Sequence, residues 1–208
     1  MMKIFRTVTI CATPLLAMLP LVGFAADVLP EGRVPAQVAQ RKDTGWVFYA
    51  NDRQGYALKL PGELQLYLKK RRNMQQAAEE RLPFDYVNFR PKEGSGRDEA
   101  FELGVGVHWN RDNLGTKEFA GKKDEGLIAN GAQIVMIRQS EVFVAGIKGV
   151  RDDFRMLQPD GWKSYARVIV PHKGNFIVFL ATLGKDKPIA EHEDVFEKII
   201  ESFQFPTA

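Results

Sequence analysis

Cysteine is almost absent from this 208-residue sequence, whose one example, Cys11, lies in an apolar run from Thr7 to Gly23. Basic residues precede the run, and small residues follow it at Ala25 and Ala26. This order is typical of a secretory signal peptide and predicts cleavage after Ala25 or Ala26. The mature chain would then contain no cysteine, which excludes disulfide bonds, thiol catalysis and cysteine-bound metals.

Long apolar segments are missing from the rest of the sequence. A membrane-spanning helix needs about 20 apolar residues, and Pro14 and Pro20 interrupt the one run that approaches this length. We therefore predict a signal peptide over residues 1–25 in preference to a retained anchor, and both forms stay open. A cysteine-free exported domain suits the periplasm or secretion, because a domain with an adequate core needs no disulfide there.

A strong excess of either charge sign is also lacking. The whole chain has 29 basic and 26 acidic residues. Lys3 and Arg6 belong to the predicted signal, so the mature chain would keep two fewer basic residues, 27 against 26. A nearly neutral balance gives no argument for nucleic acid, and we expect a protein or cell-envelope partner instead.

Catalytic signatures are missing too. The sequence has four serines, and none lies in a nucleophile-elbow sequence. Gly104 and Gly106 lie in a strand-like run with no helix opening after them, so they do not form a phosphate cradle. The sequence therefore predicts no catalytic residue, no cofactor and no metal site, and it favours a protein that is not an enzyme.

The part that remains is predicted to form one domain. Residues 26–44 contain two prolines and no periodic pattern, which indicates a linker or N-terminal arm before a single domain at 45–208. The domain opens with two runs rich in aromatic and branched residues, 46–50 and 56–60, joined by five loop residues. This arrangement predicts a β-hairpin.

The segment 64–82 is predicted to contain a short exposed helix, because good helix formers dominate from Lys69 onward. Residues 85–91 have a strand pattern, and 92–99 are predicted to be a flexible loop. The run 100–109 alternates strictly, with apolar residues on one face and a face of small or polar residues opposite. That second face consists of Glu102, Gly104, Gly106 and His108.

The C-terminal half alternates helix and strand signals. We predict a helix between Asn113 and Asn130, with Thr116 as its N-cap and Gly131 as its stop. A closing amphipathic helix is predicted over 188–203, where apolar residues recur at helical spacing. The predicted strands between them are 133–139, 142–157, 162–170 and 176–183. The last is apolar on both faces, which favours a central position in the sheet.

These elements predict an α+β fold with a mostly antiparallel sheet of about six to eight strands and helices packed on it. The chain resembles PsbP-like domains, the Mog-type nuclear import factor and secreted bacterial DcrB-type proteins. The resemblance rests on "GYALKLPGEL", "VAGIKGVRDDFRM", "GWKSYARVIV", "FIVFLATL" and "VFEKIIESFQF". It implies an αβα sandwich and, commonly, a non-enzymatic role in binding or assembly, and it carries no catalytic motif.

Three histidines and one pair of adjacent acids are candidate site residues. His108 lies beside Gly104 and Gly106 and lines a groove near Asp112 in one interpretation, whereas the plainer interpretation is a solvent-facing histidine at a strand end. His172 and His192 are interpreted as surface residues. The adjacent acids Asp152 and Asp153 would point to opposite faces of a strand, and we predict that they are solvated.

The basic run "KKRR" is the most distinctive feature, and it consists of Lys69, Lys70, Arg71 and Arg72. Two hypotheses follow. The first is a non-enzymatic periplasmic binding or assembly module that uses this run to contact a protein, envelope or polymer partner. The alternative is a small-ligand-binding or hydrolytic domain with a groove formed by Gly104, Gly106 and His108. The plainer interpretation of the run is a solvated face balanced by Glu79 and Glu80.

Overall fold

The computed structural model describes residues 45–94, 101–185 and 190–205. The predicted signal peptide, residues 26–44 and part of the predicted loop 92–99 lie outside these ranges. The described strands are β1 Trp46–Asn51, β2 Tyr56–Pro61, β3 Leu64–Arg71, β4 Asp85–Pro91, β5 Glu102–Trp109, β6 Ile134–Val144, β7 Ile147–Gln158, β8 Gly161–His172 and β9 Asn175–Lys185. The described helices are α1 Met74–Glu79, α2 Thr116–Ala129 and α3 Ala190–Glu201.

Seven of the strands form one antiparallel sheet in the order β3-β4-β5-β9-β8-β7-β6. The apolar strand β9 is the fourth of the seven, so its predicted central position is confirmed. β1 and β2 form the predicted hairpin as a separate two-stranded sheet. The predicted α+β fold is therefore correct.

Side chains alternate between the two faces of β9, and each face packs against a different helix. Ile177 and Phe179 join a core cluster that includes Phe196 of α3 and the apolar side chains of the hairpin. Phe176 points to the other face, where its ring stacks on Phe119 of α2 with the centroids 4.3 Å apart. Helices thus cover both faces of the sheet, as an αβα sandwich requires.

The helix predicted from Lys69 onward is wrong over its first part. Residues 64–71 are a strand that pairs with β4 over its length, and only Met74–Glu79 is helical. The side chain of Asn73 caps that helix by accepting hydrogen bonds from the backbone N–H groups of Gln75 and Gln76. Pairing with β4 overrides the helix propensity of the basic residues, because propensity is a weak preference that tertiary contacts outweigh.

Two boundaries in the C-terminal half also differ from prediction. β6 continues through the expected break after Gln139 and ends at Val144, where Ala145 and Gly146 turn the chain with φ of 49° and 77°. Two successive positive φ values suit the twist of a tight hairpin, and the sequence signal Ala-Gly is weaker than Asn-Gly. At α2 the N-cap is Gly115, and Thr116 is the first helical residue.

Asp152 is buried on the face that α2 covers, so the prediction that it is solvated is wrong. Its carboxylate accepts hydrogen bonds from Arg167 Nε at 2.9 Å, from Arg167 Nη2 at 2.5 Å and from Gln139 at 2.8 Å. The same guanidinium donates to both carboxylate oxygens of Asp124 on α2, at 2.7 and 3.0 Å. These bonds tie α2 to the middle of the sheet.

Asp153 is buried on the opposite face, as the alternation of strand residues predicts. It accepts hydrogen bonds from Arg151 Nε at 3.0 Å and from Arg138 Nε at 2.7 Å. Both arginines also bind Glu193 of α3, and Arg151 reaches Glu197 at 2.8 Å. The prediction of a solvated Asp153 is therefore also wrong. Asp152 is paired between α2 and the sheet, and Asp153 is paired between α3 and the sheet.

Candidate functional site

Three of the four residues of the basic run lie on β3, which is the terminal strand of the seven-stranded sheet. Lys69 and Lys70 are half-buried and Arg71 is exposed. Successive strand residues point to opposite faces, so the charges border the edge on both sides. The edge of a terminal strand also carries backbone N–H and C=O groups that its own sheet does not pair.

Arg72 has a different role from its three neighbours. It follows the end of β3, its backbone N–H donates to the carbonyl of Phe84, and its guanidinium donates to the carbonyl of Pro83 at 3.0 Å. These bonds hold the turn between α1 and β4. Arg72 is therefore part of the local structure, whereas Lys69, Lys70 and Arg71 form the basic edge.

Apolar side chains are exposed on the same strand. Leu66 has 48% of its surface exposed and Tyr67 has 60%. The pairing of β3 with β4 is irregular between Leu66 and Leu68, so that Tyr67 is left over at a bulge. The guanidinium of Arg90 lies over the Tyr67 ring, 4.0 Å from its centroid. The edge thus combines positive charge, an aromatic ring and the backbone of a terminal strand that pairs with β4 on one side.

The face of β5 predicted to be bare is covered. A Cβ atom on Gly104 would lie 2.7 Å from the hydroxyl oxygen of Tyr86, and one on Gly106 would lie 3.0 Å from Cβ of Pro83. Both glycines therefore make room for neighbouring side chains of this chain. Their missing side chains leave no hollow for a ligand, and neither glycine lines the cavity beside His108.

His108 is buried, with 7% of its surface exposed, so the prediction of a solvent-facing histidine is wrong. Its ring lies edge-on to Phe119 of α2, with the centroids 5.8 Å apart. Its Nδ1 atom is 3.5 Å from Nζ of Lys123, which donates a hydrogen bond to the carbonyl of Arg81 at 2.7 Å. Burial lowers the pKa of His108 well below its usual value, and the charges of Lys123 and Arg72 lower it further.

Lys123 belongs to neither of the two site hypotheses drawn from the sequence. Burial lowers the pKa of its amine to about 8, with further contributions from Arg167 and Arg81. A helical signal does point to it, since Lys123 follows Phe119 by four residues and both therefore lie on one face of α2. Phe119 is a predictable core residue, so its neighbour on that face is directed toward the sheet.

His108 and Lys123 line a cavity of about 290 Å³ between α1, the end of β5 and α2. Its apolar wall includes Ala77, Leu82, Leu114 and Phe119. Its charged lining consists of Arg81, Arg111, Lys122, Lys123, Asp112 and Glu125. Asp112 is thus near His108, as the groove hypothesis expects, and four basic residues face two acidic ones.

The other two histidines have structural contacts. His172 Nε2 lies 3.0 Å from the carbonyl oxygen of Gln54, and its ring stacks on Phe205 with the centroids 4.2 Å apart. The His192 ring lies 5.4 Å from that of Phe101. Within the described ranges, no cluster of three or more histidine, cysteine, aspartate or glutamate side chains has the arrangement of a metal site. None of the helices described is both long and apolar enough to cross a membrane.

Comparisons with known proteins find similarity in structure alone. No protein-family profile matches the chain, and no curated protein sequence matches it. The solution structure of cyanobacterial PsbP (CyanoP) from Synechocystis sp. PCC 6803 matches 82% of this chain and 98% of its own, with a TM-score of 0.57 and 15% identity. The Ran-binding protein Mog1p of Saccharomyces cerevisiae matches 73% of this chain and 90% of its own, with a TM-score of 0.51 and 10% identity.

These similarities confirm the fold that the sequence motifs indicated. They extend over most of both known structures, and at this level of identity they concern the fold alone. The connection to DcrB-type proteins stays a prediction. The described domain therefore has the PsbP-like and Mog-like αβα fold.

Proposed function

We propose that this protein is a non-enzymatic binding or assembly module of the cell envelope, which contacts an acidic protein partner through the edge of β3. The observation that carries the proposal is the position of Lys69, Lys70 and Arg71 on a terminal strand beside exposed Leu66 and Tyr67. The periplasmic location rests on the N-terminal pattern of residues 1–25.

A protein partner fits this edge better than a lipid surface or a polysaccharide. A terminal strand offers a row of backbone donors and acceptors, and an extended polypeptide satisfies them by adding a strand. Alternating pockets and charges then select the sequence of that segment. A membrane surface would use the charges but would leave these backbone groups without partners.

The known proteins of this fold support a binding role. Mog1p is named as a Ran-binding protein, so one protein with the same fold acts by contacting another protein. The partner of the present chain is a separate proposal, because the similarity to Mog1p concerns the fold alone.

The test compares cross-linked partners of the mature protein, residues 26–208, in its native cell envelope at low and at high salt. The test variant replaces Lys69, Lys70 and Arg71 with serine and keeps Arg72, whose side chain holds Pro83. The matched control replaces three exposed lysines elsewhere, Lys59, Lys173 and Lys198, with serine. Both variants lose three positive charges, so a change in net charge alone affects them equally.

We expect one dominant acidic protein that the wild type and the control capture at low salt and release at high salt. Each basic residue near an anionic surface contributes about 1 kcal/mol, so the test variant should bind up to roughly 100-fold more weakly. Equal capture by the test variant and the control would contradict the proposal. The proposal would also be contradicted if the wild type, the test variant and the control all bound phosphatidylglycerol vesicles and none of them captured a protein.

A further inference from the structure

The cavity beside His108 contains the ammonium group of Lys123, which forms no direct ion pair with the described residues. Lys123 donates a hydrogen bond to a neutral carbonyl, that of Arg81, and lies next to the imidazole of His108. The acid next to it in the sequence, Asp124, gives both carboxylate oxygens to Arg167. The ammonium group of half-buried Lys123 therefore lies at the cavity, and no carboxylate of the described residues forms a direct ion pair with it.

The other charged residues of the lining also include more basic than acidic side chains. Arg81, Arg111 and Lys122 are basic, and Asp112 and Glu125 are acidic. Asp112 lies 3.5 Å from Nζ of Lys122, so that pair is internally neutral. The rest of the lining carries a net positive charge, which attracts an anion.

The shape and apolar wall of the cavity describe the rest of the ligand. A volume of about 290 Å³ is at the lower end of ligand cavities, which begin near roughly 300 Å³. Phe119 and Leu114 provide a contact surface for an apolar or aromatic body. A carboxylate with an apolar body uses both the single ammonium of Lys123 and the apolar wall, whereas inorganic phosphate has no apolar part to place there.

We infer that the cavity binds a small organic carboxylate, with the carboxylate on Lys123 beside His108 and the apolar body against Phe119 and Leu114. This site is separate from the basic edge of β3 and does not depend on the proposed protein partner. It narrows the groove hypothesis to one class of ligand and assigns the main contact to a lysine of α2.

The lowered pKa of Lys123, about 8, agrees with this assignment. The amine is destabilised in its charged form by burial and by Arg167 and Arg81. A bound carboxylate supplies the missing negative charge and favours the protonated amine.

The experiment measures the thermal unfolding of the mature protein at constant ionic strength with benzoate, its neutral isostere benzamide, inorganic phosphate and sulfate as probes. Benzoate at ten times its dissociation constant should raise Tm by about 3 to 6 °C, whereas benzamide should change it little. Lys123→Met should weaken benzoate binding at least tenfold. Lys117→Met is the matched control, since Lys117 is exposed on the same helix, and it should bind benzoate as the wild type does.

A second variant tests the cavity without changing its charge. Ala78 lines the cavity from α1, and Ala78→Trp should fill the space and abolish benzoate binding. Equal shifts with benzoate, phosphate and sulfate would overturn the inference, as would equal losses in Lys123→Met and Lys117→Met. The absence of any benzoate shift at the highest soluble concentration would also overturn it. The serine variant of the β3 edge should bind benzoate normally, so the two proposals fail independently.

Discussion

Removal of Arg167 should destabilise the domain more than any comparable change on its surface. Asp152 has 0% of its surface exposed and Arg167 has 4%. Among the bonds that the described residues make, the carboxylate of Asp152 in Arg167→Met would keep only the hydrogen bond from Gln139. Breaking a buried ion pair by removing one partner costs about 3–5 kcal/mol, because an uncompensated charge remains in the interior.

The assay is urea unfolding followed by tryptophan fluorescence, with Tm as a second measurement. For a domain of this size, a loss of about 3–5 kcal/mol corresponds to a decrease in Tm of roughly 6 to 20 °C. The double variant Asp152→Asn, Arg167→Met removes the buried charge together with its partner. We expect it to recover about 2 kcal/mol or more relative to Arg167→Met alone.

Arg53→Met is the matched control for this experiment, since Arg53 is exposed in the β1–β2 turn. Its effect should stay within about 0.5 kcal/mol. The reasoning would be refuted if Arg167→Met lost less than about 1 kcal/mol, or if the double variant were no more stable than the single one. Either result would mean that water reaches Asp152 easily and that leaving its carboxylate unpaired costs little free energy.

Three other predictions concern the region around β5. His108 binds a proton less readily in the folded than in the unfolded state, so stability should decrease below about pH 6.5, and His108→Gln should show a smaller decrease in urea unfolding at pH 5 against pH 7. Lys123 has a folded pKa of about 8 against 10.5 when unfolded, so stability should rise from pH 8 to 9.5 in the wild type and not in Lys123→Met. Gly104→Ala should lower the free energy of unfolding by about 1–3 kcal/mol through contact with Tyr86, and Tyr86→Ala should relieve most of that effect; a loss unchanged by Tyr86→Ala would contradict the packing argument.

The elements that the sequence predicted well have a strong hydrophobic period. The terminal helix shows apolar residues at helical spacing, and Phe196, Ile199 and Ile200 are indeed buried in the main core. β9 is apolar at every position of its central part, which identifies a strand covered on both faces. In such segments the local pattern and the tertiary environment agree, so the sequence suffices.

The helix predicted from Lys69 onward is wrong in β3 because two local signals compete there. Its basic residues have good helix propensity, whereas Leu64, Leu66 and Leu68 alternate as in a strand. Pairing with β4 decides the outcome, and a single sequence does not show which segments will pair. The spacing of the leucines favours a strand, although Leu64 alone among the three is fully buried and Leu66 is half exposed.

The polar sites were harder to predict than the strands. Alternation placed Asp152 and Asp153 on opposite faces correctly, but it says nothing about which faces lie under helices. Burial of these acids depends on arginines of other strands and on acids of α2 and α3, which are distant in sequence. The cavity beside His108 likewise joins residues of three elements, so its Lys123 contact becomes visible only in three dimensions.

The adjacent ion pairs of β7 also determine which alignment of this strand is allowed. A slip by one residue would exchange the faces of all its side chains. Arg151 would then turn toward α2, where Arg167 already lies, and would leave Glu193 and Glu197 of α3 behind. A buried like-charge contact makes the slipped sheet costly, whereas apolar side chains would tolerate either alignment. The buried charges of β7 therefore favour the observed register over the slipped one.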